Sequence, residues 1–410
     1  MSAPDRAPVF PGTVDANGRP ATLGVMGGGQ LGRMFVHAAQ RLGYFTAVLD
    51  PDPHSPAGCV SHHHIPFAYT DKQGLAQLAL LCDAITTEFE NVPSSALQTL
   101  ADSRPVAPGA AAVAIAQDRI QEKSHFTASA GVAGVTCAPY AVIETPDQLK
   151  AVPADLLPGI LKTARMGYDG KGQMRVKDQA ELAAAWAELE QVACVLEKLL
   201  PLKAECSVIV ARGWDGCIVG FPAQFNVHVD GVLAVTEVYE GNMPSALAVR
   251  ARAATESIAN HIGYVGVLCV EFFVIDDGSA DGALVVNEMA PRPHNSGHYT
   301  IDACDVSQFD LQVYAMAGLP LPLPRQHSPA IMLNLLGDVW LDAAGQARAP
   351  DWQAVLALPG THLHLYGKRE ARHGRKMGHL TITGLDVASV RAVARQATQL
   401  LGLPGPDRLQ

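Results

Sequence analysis

Residues 285–300 read VVNEMAPRPHNSGHYT, a stretch dense in groups that can do chemistry. Two valines lead into Asn287 and Glu288, Arg292 stands between prolines, and His294, Asn295, Ser296 and His298 follow. A second acid, Glu271, emerges from the apolar run VGVLCVEFFV. An unpaired carboxylate on a buried strand is costly, so each acid needs a partner. Taken singly, either acid would serve as half of a buried ion pair. Taken together on neighbouring strands, Glu271 and Glu288 predict a magnesium site completed by Asn287 and phosphate oxygens, with manganese an acceptable substitute.

Two further stretches supply what a nucleotide needs. LKTARMGYDGKGQ carries Lys162 on a strand, ahead of a glycine loop made of Gly167, Tyr168, Asp169, Gly170, Lys171, Gly172 and Gln173. A strand lysine meets phosphate oxygens as a point charge, and such a loop can close over a triphosphate with its amides. It is neither a Walker A sequence nor a kinase glycine loop. In VLEKLLPLKAECSV, the segment Glu197, Lys198, Leu199 and Leu200 offers backbone groups to adenine, and a carboxylate, Glu197 or Glu205, suits the ribose hydroxyls.

Three other features have competing readings. Gly27-x-Gly29-x-x-Gly32 follows a strand and opens a helix, with Asp50 ending the next strand, which satisfies the spacing of a dinucleotide fingerprint. The same loop suits any phosphate or ribose ligand, or a tight turn alone. TTEFENVP ends a strand in Glu88 and Glu90, two acids on one side, placed for a ligand or for solvent. LYGKREARHGRKMGHLTITG sets Lys368, Arg375 and Lys376 in a turn between strands, either a phosphate clamp or a bland surface turn. His62, His63 and His64 lack a ligand spacing and read as a loop beside a strand.

The elements that must position these groups fall into three regions. With 410 residues, two or three domains are expected. Residues 21–120 alternate strands and helices, which predicts a doubly wound parallel sheet that binds substrate. Residues 121–203 form a small α+β lid unit, and residues 204–410 an α+β domain with long antiparallel strands. Residues 1–20 read as a flexible tail without a secretory h-region. The composition, 48% hydrophobic and 17% charged with a net charge of -10, is globular and gives no basic footprint for nucleic acid. No run approaches the roughly 20 apolar residues of a membrane span. Eight scattered cysteines without a CxxC pair predict reduced thiols in the cytoplasm.

The ordered set Lys162, GYDGKGQ, Glu197, Glu205, Glu271 and Asn287-Glu288 resembles the ATP-grasp superfamily. More narrowly, GGGQLGRM, NVHVDGV, GYVGVLCVEFF and NEMAPRPHNSGHYT resemble the N5-carboxyaminoimidazole ribonucleotide synthase family, over roughly residues 20–400. The resemblance implies ATP-driven carboxylation of 5-aminoimidazole ribonucleotide by bicarbonate in purine biosynthesis, by a cytoplasmic homodimer. It implies that Arg119 and Lys162 contact phosphates, that residues 197–200, Glu205 and His228 complete the nucleotide pocket, and that the loop 167–173 excludes water. It further implies that Arg292 holds bicarbonate and that His294 and Asn295 face the aminoimidazole. His294, with an ordinary pKa of about 6.5, would accept a proton or only orient the ring. Gln30, Leu31 and Glu88 or Glu90 would hold ribose and base, and Lys368, Arg375 and Lys376 the 5′-phosphate. The fingerprint at Gly27 is then a substrate loop. A formate-dependent transformylase shares the layout without the HNSGH run, and a biotin carboxylase would need a biotinyl domain that the chain lacks.

Overall fold

The structure is a computed structural model that describes residues 7–167, 172–342 and 344–404. In the first unit four parallel strands run in the order His63–Ile65, Phe45–Leu49, Thr22–Met26, Ala84–Thr87. The central ones read as near-continuous apolar runs because they are buried under helices. Helix Gln30–Arg41 turns Leu31, Met34, Phe35 and Ala38 inward. Register sets Met26 beside Thr87, so the glycine loop and Glu88 emerge together at the carboxyl edge. That edge is where such sheets bind ligands. His63 and His64, expected in a loop, instead belong to the edge strand. His62 Nδ1 accepts from the Thr46 amide at 3.2 Å, and His64 Nε2 meets the Asp50 carbonyl at 3.1 Å.

A ten-stranded sheet forms the body of the molecule. Its neighbours are antiparallel, except that Thr136–Cys137 joins Ala283–Ala290 in parallel. Along Gly266–Ile275, Leu268, Val270, Phe272 and Val274 enter one core and Val267 and Cys269 the other. The period of two therefore puts Glu271 on the face of Val267 and Cys269. Glu288, on Ala283–Ala290, stands directly opposite it. The small unit is a separate antiparallel sheet in the order Tyr140–Ile143, Cys194–Lys198, Gly159–Thr163, Gln173–Val176, with its own core of Ile143, Leu161, Leu182, Trp186 and Leu196.

Two boundary expectations need correction. Helix Arg119–Ser129 and the residues to Cys137 pack on the large sheet rather than in the small unit, because Phe126, Ala130 and Val135 share a core with Val208, Leu268 and Val286. Residues 7–20 are not loose. The Val9 amide donates to the Ala317 carbonyl at 2.8 Å, the Tyr44 hydroxyl to the Val9 carbonyl at 2.6 Å, and Arg19 pairs with Asp15 and Asp83. The first unit also shares a core with the body, where Leu23, Phe35 and Tyr44 meet Val265, Phe309 and Met316. Among the described residues, no helix is long and apolar enough to cross a membrane.

Candidate active site

All three units line one cleft of about 760 Å³. At its floor Glu271 and Glu288 face each other across adjacent strands. Burial, and then the charge of Glu288, push the Glu271 carboxyl up to about 8. Glu288 is held below the usual range: burial opposes this, but Arg119 and then Lys162 outweigh it. Arg119 Nη1 lies 3.3 Å from Glu288 Oε2, and Nη2 donates to the Gly167 carbonyl at 3.4 Å. Beside the acids the buried Asn287 Oδ1 has no hydrogen-bond partner. Two opposed carboxylates and an orphaned amide oxygen are the hard-oxygen donor set of a divalent cation, so the residues present fit magnesium.

Another stretch of the cleft wall comes from the small sheet. Lys162 and Glu197 sit on neighbouring strands, joined at 3.0 Å. Against the cost of burial, Lys162 and Lys123 hold Glu197 down at about 2. Lys198, Leu199 and Leu200 continue along the cleft wall, as do Gly167 and Gln173. His228 Nδ1 is 2.9 Å from Glu205 Oε2, and this bond keeps the imidazole above its ordinary pKa despite burial. Gly172 has φ +68 and its Cβ position lies 2.6 Å from Thr163 Oγ1, so only glycine fits there. Tyr168, Asp169, Gly170 and Lys171 lie outside the described residues.

The loop after Glu288 closes the far end. Arg292 Nε donates to Glu90 Oε2 at 2.6 Å, joining the first unit to the body. His294 Nδ1 accepts from the Ser296 amide at 3.3 Å, so the ring proton sits on Nε2, 3.1 Å from Glu271 Oε1. Burial, and then Arg292, keep this ring neutral. With both nitrogens engaged, orientation suits His294 better than proton abstraction. Asn295 is buried at the cleft with neither amide atom partnered, which leaves a donor and an acceptor for a ligand. His298 lines the cleft behind it, 3.2 Å from the Gln308 amide nitrogen.

Gln30, Leu31, Glu88, Glu90 and Lys376, all among the expected substrate residues, also line the cleft. Glu88 caps helix Gln30–Arg41 from across the sheet, accepting from the Gly29 amide and, at 2.7 Å, from the Gly32 amide. Asp50 accepts from the Gly28 amide at 2.7 Å and the Tyr69 hydroxyl at 2.6 Å. The protein's own carboxylates thus occupy the loop amides that a dinucleotide's phosphates would need. Lys368 and Arg375 are not in the cleft wall: Lys368 Nζ donates to the Lys376 carbonyl at 2.7 Å and Arg375 Nη1 to the Glu370 carbonyl at 2.9 Å.

Two charged residues of helix Arg119–Ser129, Glu122 and Lys123, were not among the expected site residues. Arg119, Glu122, Lys123 and Phe126 share one inward face, and the i, i+3, i+4, i+7 spacing was the available signal. Burial pushes Glu122 up to about 7. Outside the cleft, Asp302, His364 and His379 bring ligand atoms within 4.8 Å of one another. The two rings stack at 10°, so one ion cannot lie in both ring planes; this group is a hydrogen-bonded stack anchored by Asp302.

Comparison with known proteins agrees along the chain. Residues 21–117 match the ribonucleotide synthetase preATP-grasp domain, 129–309 the ATP-grasp domain, and 330–393 the phosphoribosylaminoimidazole carboxylase C-terminal domain. The N5-carboxyaminoimidazole ribonucleotide synthase of Brucella melitensis is 43% identical over 368 residues, covering 88% of this chain and 96% of that protein. The Bacillus subtilis synthase is 40% identical, covering 88% and 91%. A Staphylococcus aureus N5-carboxyaminoimidazole synthetase complexed with ADP superposes with a TM-score of 0.82 at 36% identity, covering 97% of this chain and 100% of that one. An Aspergillus clavatus synthase in complex with ADP and 5-aminoimidazole ribonucleotide gives 0.82 at 31%, covering 94% and 99%. With the facing acids, the strand lysine and the loop of residues 291–298 in one cleft, these matches close the argument: the chain belongs to the N5-carboxyaminoimidazole ribonucleotide synthase family, on the ATP-grasp fold.

Proposed function

We propose that this protein carboxylates the exocyclic amine of 5-aminoimidazole ribonucleotide with bicarbonate and ATP, giving N5-carboxyaminoimidazole ribonucleotide, ADP and phosphate in purine biosynthesis. The observation that carries this is the cleft itself, which joins a facing acid pair and a strand lysine to a second set of polar groups one loop away. A bicarbonate oxygen attacks the γ-phosphorus, the bond to ADP breaks, and carboxyphosphate forms. The amine nitrogen then bonds to the carboxyl carbon, of carboxyphosphate or of the carbon dioxide it releases, as phosphate leaves and the amine gives up a proton.

In this reading Lys162 and Arg119 meet the phosphates, residues 197–200 meet adenine, and Glu205 with His228 meets the ribose. Glu271 and Glu288 hold magnesium, or manganese, which when bound neutralises charge on the transferring phosphoryl group. Arg292 retains bicarbonate and then carboxyphosphate, while Tyr168, Asp169 and Lys171 of the glycine loop screen that intermediate from water. His294 and Asn295 orient the aminoimidazole; Gln30, Leu31 and Glu88 or Glu90 take its ribose and base. Lys376, supported by Lys368 and Arg375, takes the 5′-phosphate. The enzyme works in the cytoplasm as a homodimer.

ADP release tests the reading. It should rise with 5-aminoimidazole ribonucleotide only when bicarbonate is present, with one ADP per carboxylated product. ADP release indifferent to both substrates would refute it, and a monomeric mass by light scattering would refute the dimer.

A further inference from the structure

Helix Arg119–Ser129 brings Lys123 beneath the nucleotide side of the cleft without letting it reach the cleft wall. The side chain has no solvent exposure, and its Nζ stands 3.2 Å from Glu197 Oε1. It donates to the Asn287 carbonyl at 3.0 Å. The other oxygen of the same carboxylate, Oε2, takes Lys162 Nζ at 3.0 Å. Two ammonium groups therefore share one carboxylate in a place nearly closed to water. Of these three charged groups, Lys162 and Glu197 line the cleft and Lys123 does not.

We infer that Lys123 is a positioning residue for nucleotide binding: it is the counter-ion that keeps Glu197 paired and in place when Lys162 turns to the phosphates of ATP. The inference rests on the nucleotide reading given above. A buried charge left without its partner is costly. Were Lys162 the sole partner of Glu197, an incoming phosphate would either strand that carboxylate or find the lysine withheld. With Lys123 behind, moving Lys162 leaves every charge matched, Lys123 with Glu197 and Lys162 with phosphate. The anchor is fixed from the large sheet, through the Asn287 carbonyl. Glu122, one residue earlier, accepts from the Met289 amide at 2.7 Å and pins the helix to the same strand.

The test uses the full-length enzyme, calorimetric titration with ADP and magnesium, and steady-state kinetics. Lys123→Met should raise the Kd for ADP and the KM for ATP about tenfold or more, the scale of one charge-assisted contact, with the KM for the ribonucleotide within about twofold of the parent. In a Glu197→Gln background the same substitution should change ADP affinity less than about threefold, because no carboxylate remains to be stranded. ADP affinity equal to the parent's, equal weakening of ATP and ribonucleotide, or the same effect in both backgrounds would each overturn the inference. If Lys123→Met does not fold, a crystal structure of the parent with ADP and magnesium decides. Lys162 should have left Glu197 for a phosphate while Lys123 stays within hydrogen-bonding distance, and the reverse arrangement, or Lys162 still on Glu197, overturns it. Absence of bicarbonate-dependent turnover in a parent that still binds ADP would count against the functional reading alone, and the titrations would still decide the role of Lys123.

Discussion

Two pairs of acids line the cleft of this molecule, Glu88 and Glu90 just past the end of strand Ala84–Thr87 and Glu271 and Glu288 within two paired strands, and they meet opposite fates. Glu88 and Glu90 are answered by the protein: Glu88 by two backbone amides, Glu90 by Arg292. Burial raises Glu88 in spite of its amides, and Arg292 overcomes burial to hold Glu90 low. Glu271 and Glu288 instead oppose one another, with a neutral histidine on the first and one arginine on the second. A carboxylate that the fold has already satisfied shapes a site, whereas two that the fold has set in conflict ask for a cation. The partners each carboxylate finds decide between the two cases.

The comparison breaks most visibly at Glu288. Glu288→Gln removes one of the two carboxylates proposed to hold the metal, an effect of about 4 kcal/mol on the phosphoryl-transfer barrier, so turnover should fall about a thousandfold with the circular dichroism spectrum unchanged. Near-normal activity at ordinary magnesium would show the pair to be structural.

Arg292→Ala attacks the satisfied pair. It strands Glu90 in a mostly buried place, and the urea midpoint should report a loss of about 3 kcal/mol along with impaired turnover. An unchanged midpoint would mean that Glu90 has solvent to fall back on.

Lys376→Met should raise the KM for the ribonucleotide about tenfold with that for ATP hardly moved, the worth of one charge-assisted contact to phosphate. Arg375→Ala, outside the cleft wall, should do less. The reverse order would move the phosphate site out along the turn.

The smallest effect sharpens the contrast without any nucleotide. Magnesium alone, at about ten times its Kd, should stabilise the parent by about 1.4 kcal/mol in a thermal melt. Glu271→Gln should abolish that shift and Glu90→Gln should not. A shift that survives in Glu271→Gln would place the cation elsewhere.

Much of this was legible in the chain because short-range rules governed it. The three-region rhythm, the strands bearing Glu271 and Glu288, and the strand lysine before a glycine loop follow from periods of two and from apolar runs. What escaped depended on partners far away in sequence. Glu88 already accepts from the Gly29 and Gly32 amides, and Asp50 from the Gly28 amide and the Tyr69 hydroxyl, so the loop amides that a dinucleotide would use are taken although the spacing is right. Lys123 looked like one charge among several on a polar helix, until the fold turned its face inward. The strands Gln224–Val229 and Thr361–Leu365 carry polar residues that blur the strand pattern, and they are held by neighbours already in the sheet.

Gln312 accepts from the Val267 amide at 2.7 Å and donates to the Thr86 hydroxyl at 2.9 Å and the Ala107 carbonyl at 3.1 Å, so a residue late in the chain completes the interior of the first sheet. Its helix, Gln308–Ala317, also supplies Phe309, Val313 and Met316 to that interior and the carbonyl that receives Val9. On the ribosome this means a wait. At ~5–20 residues per second, the first unit emerges roughly 10–40 seconds before the helix that covers its apolar flank. For that interval the nascent chain presents an uncovered hydrophobic surface, and newly made protein should depend on chaperone holding at this stage more than at any later one.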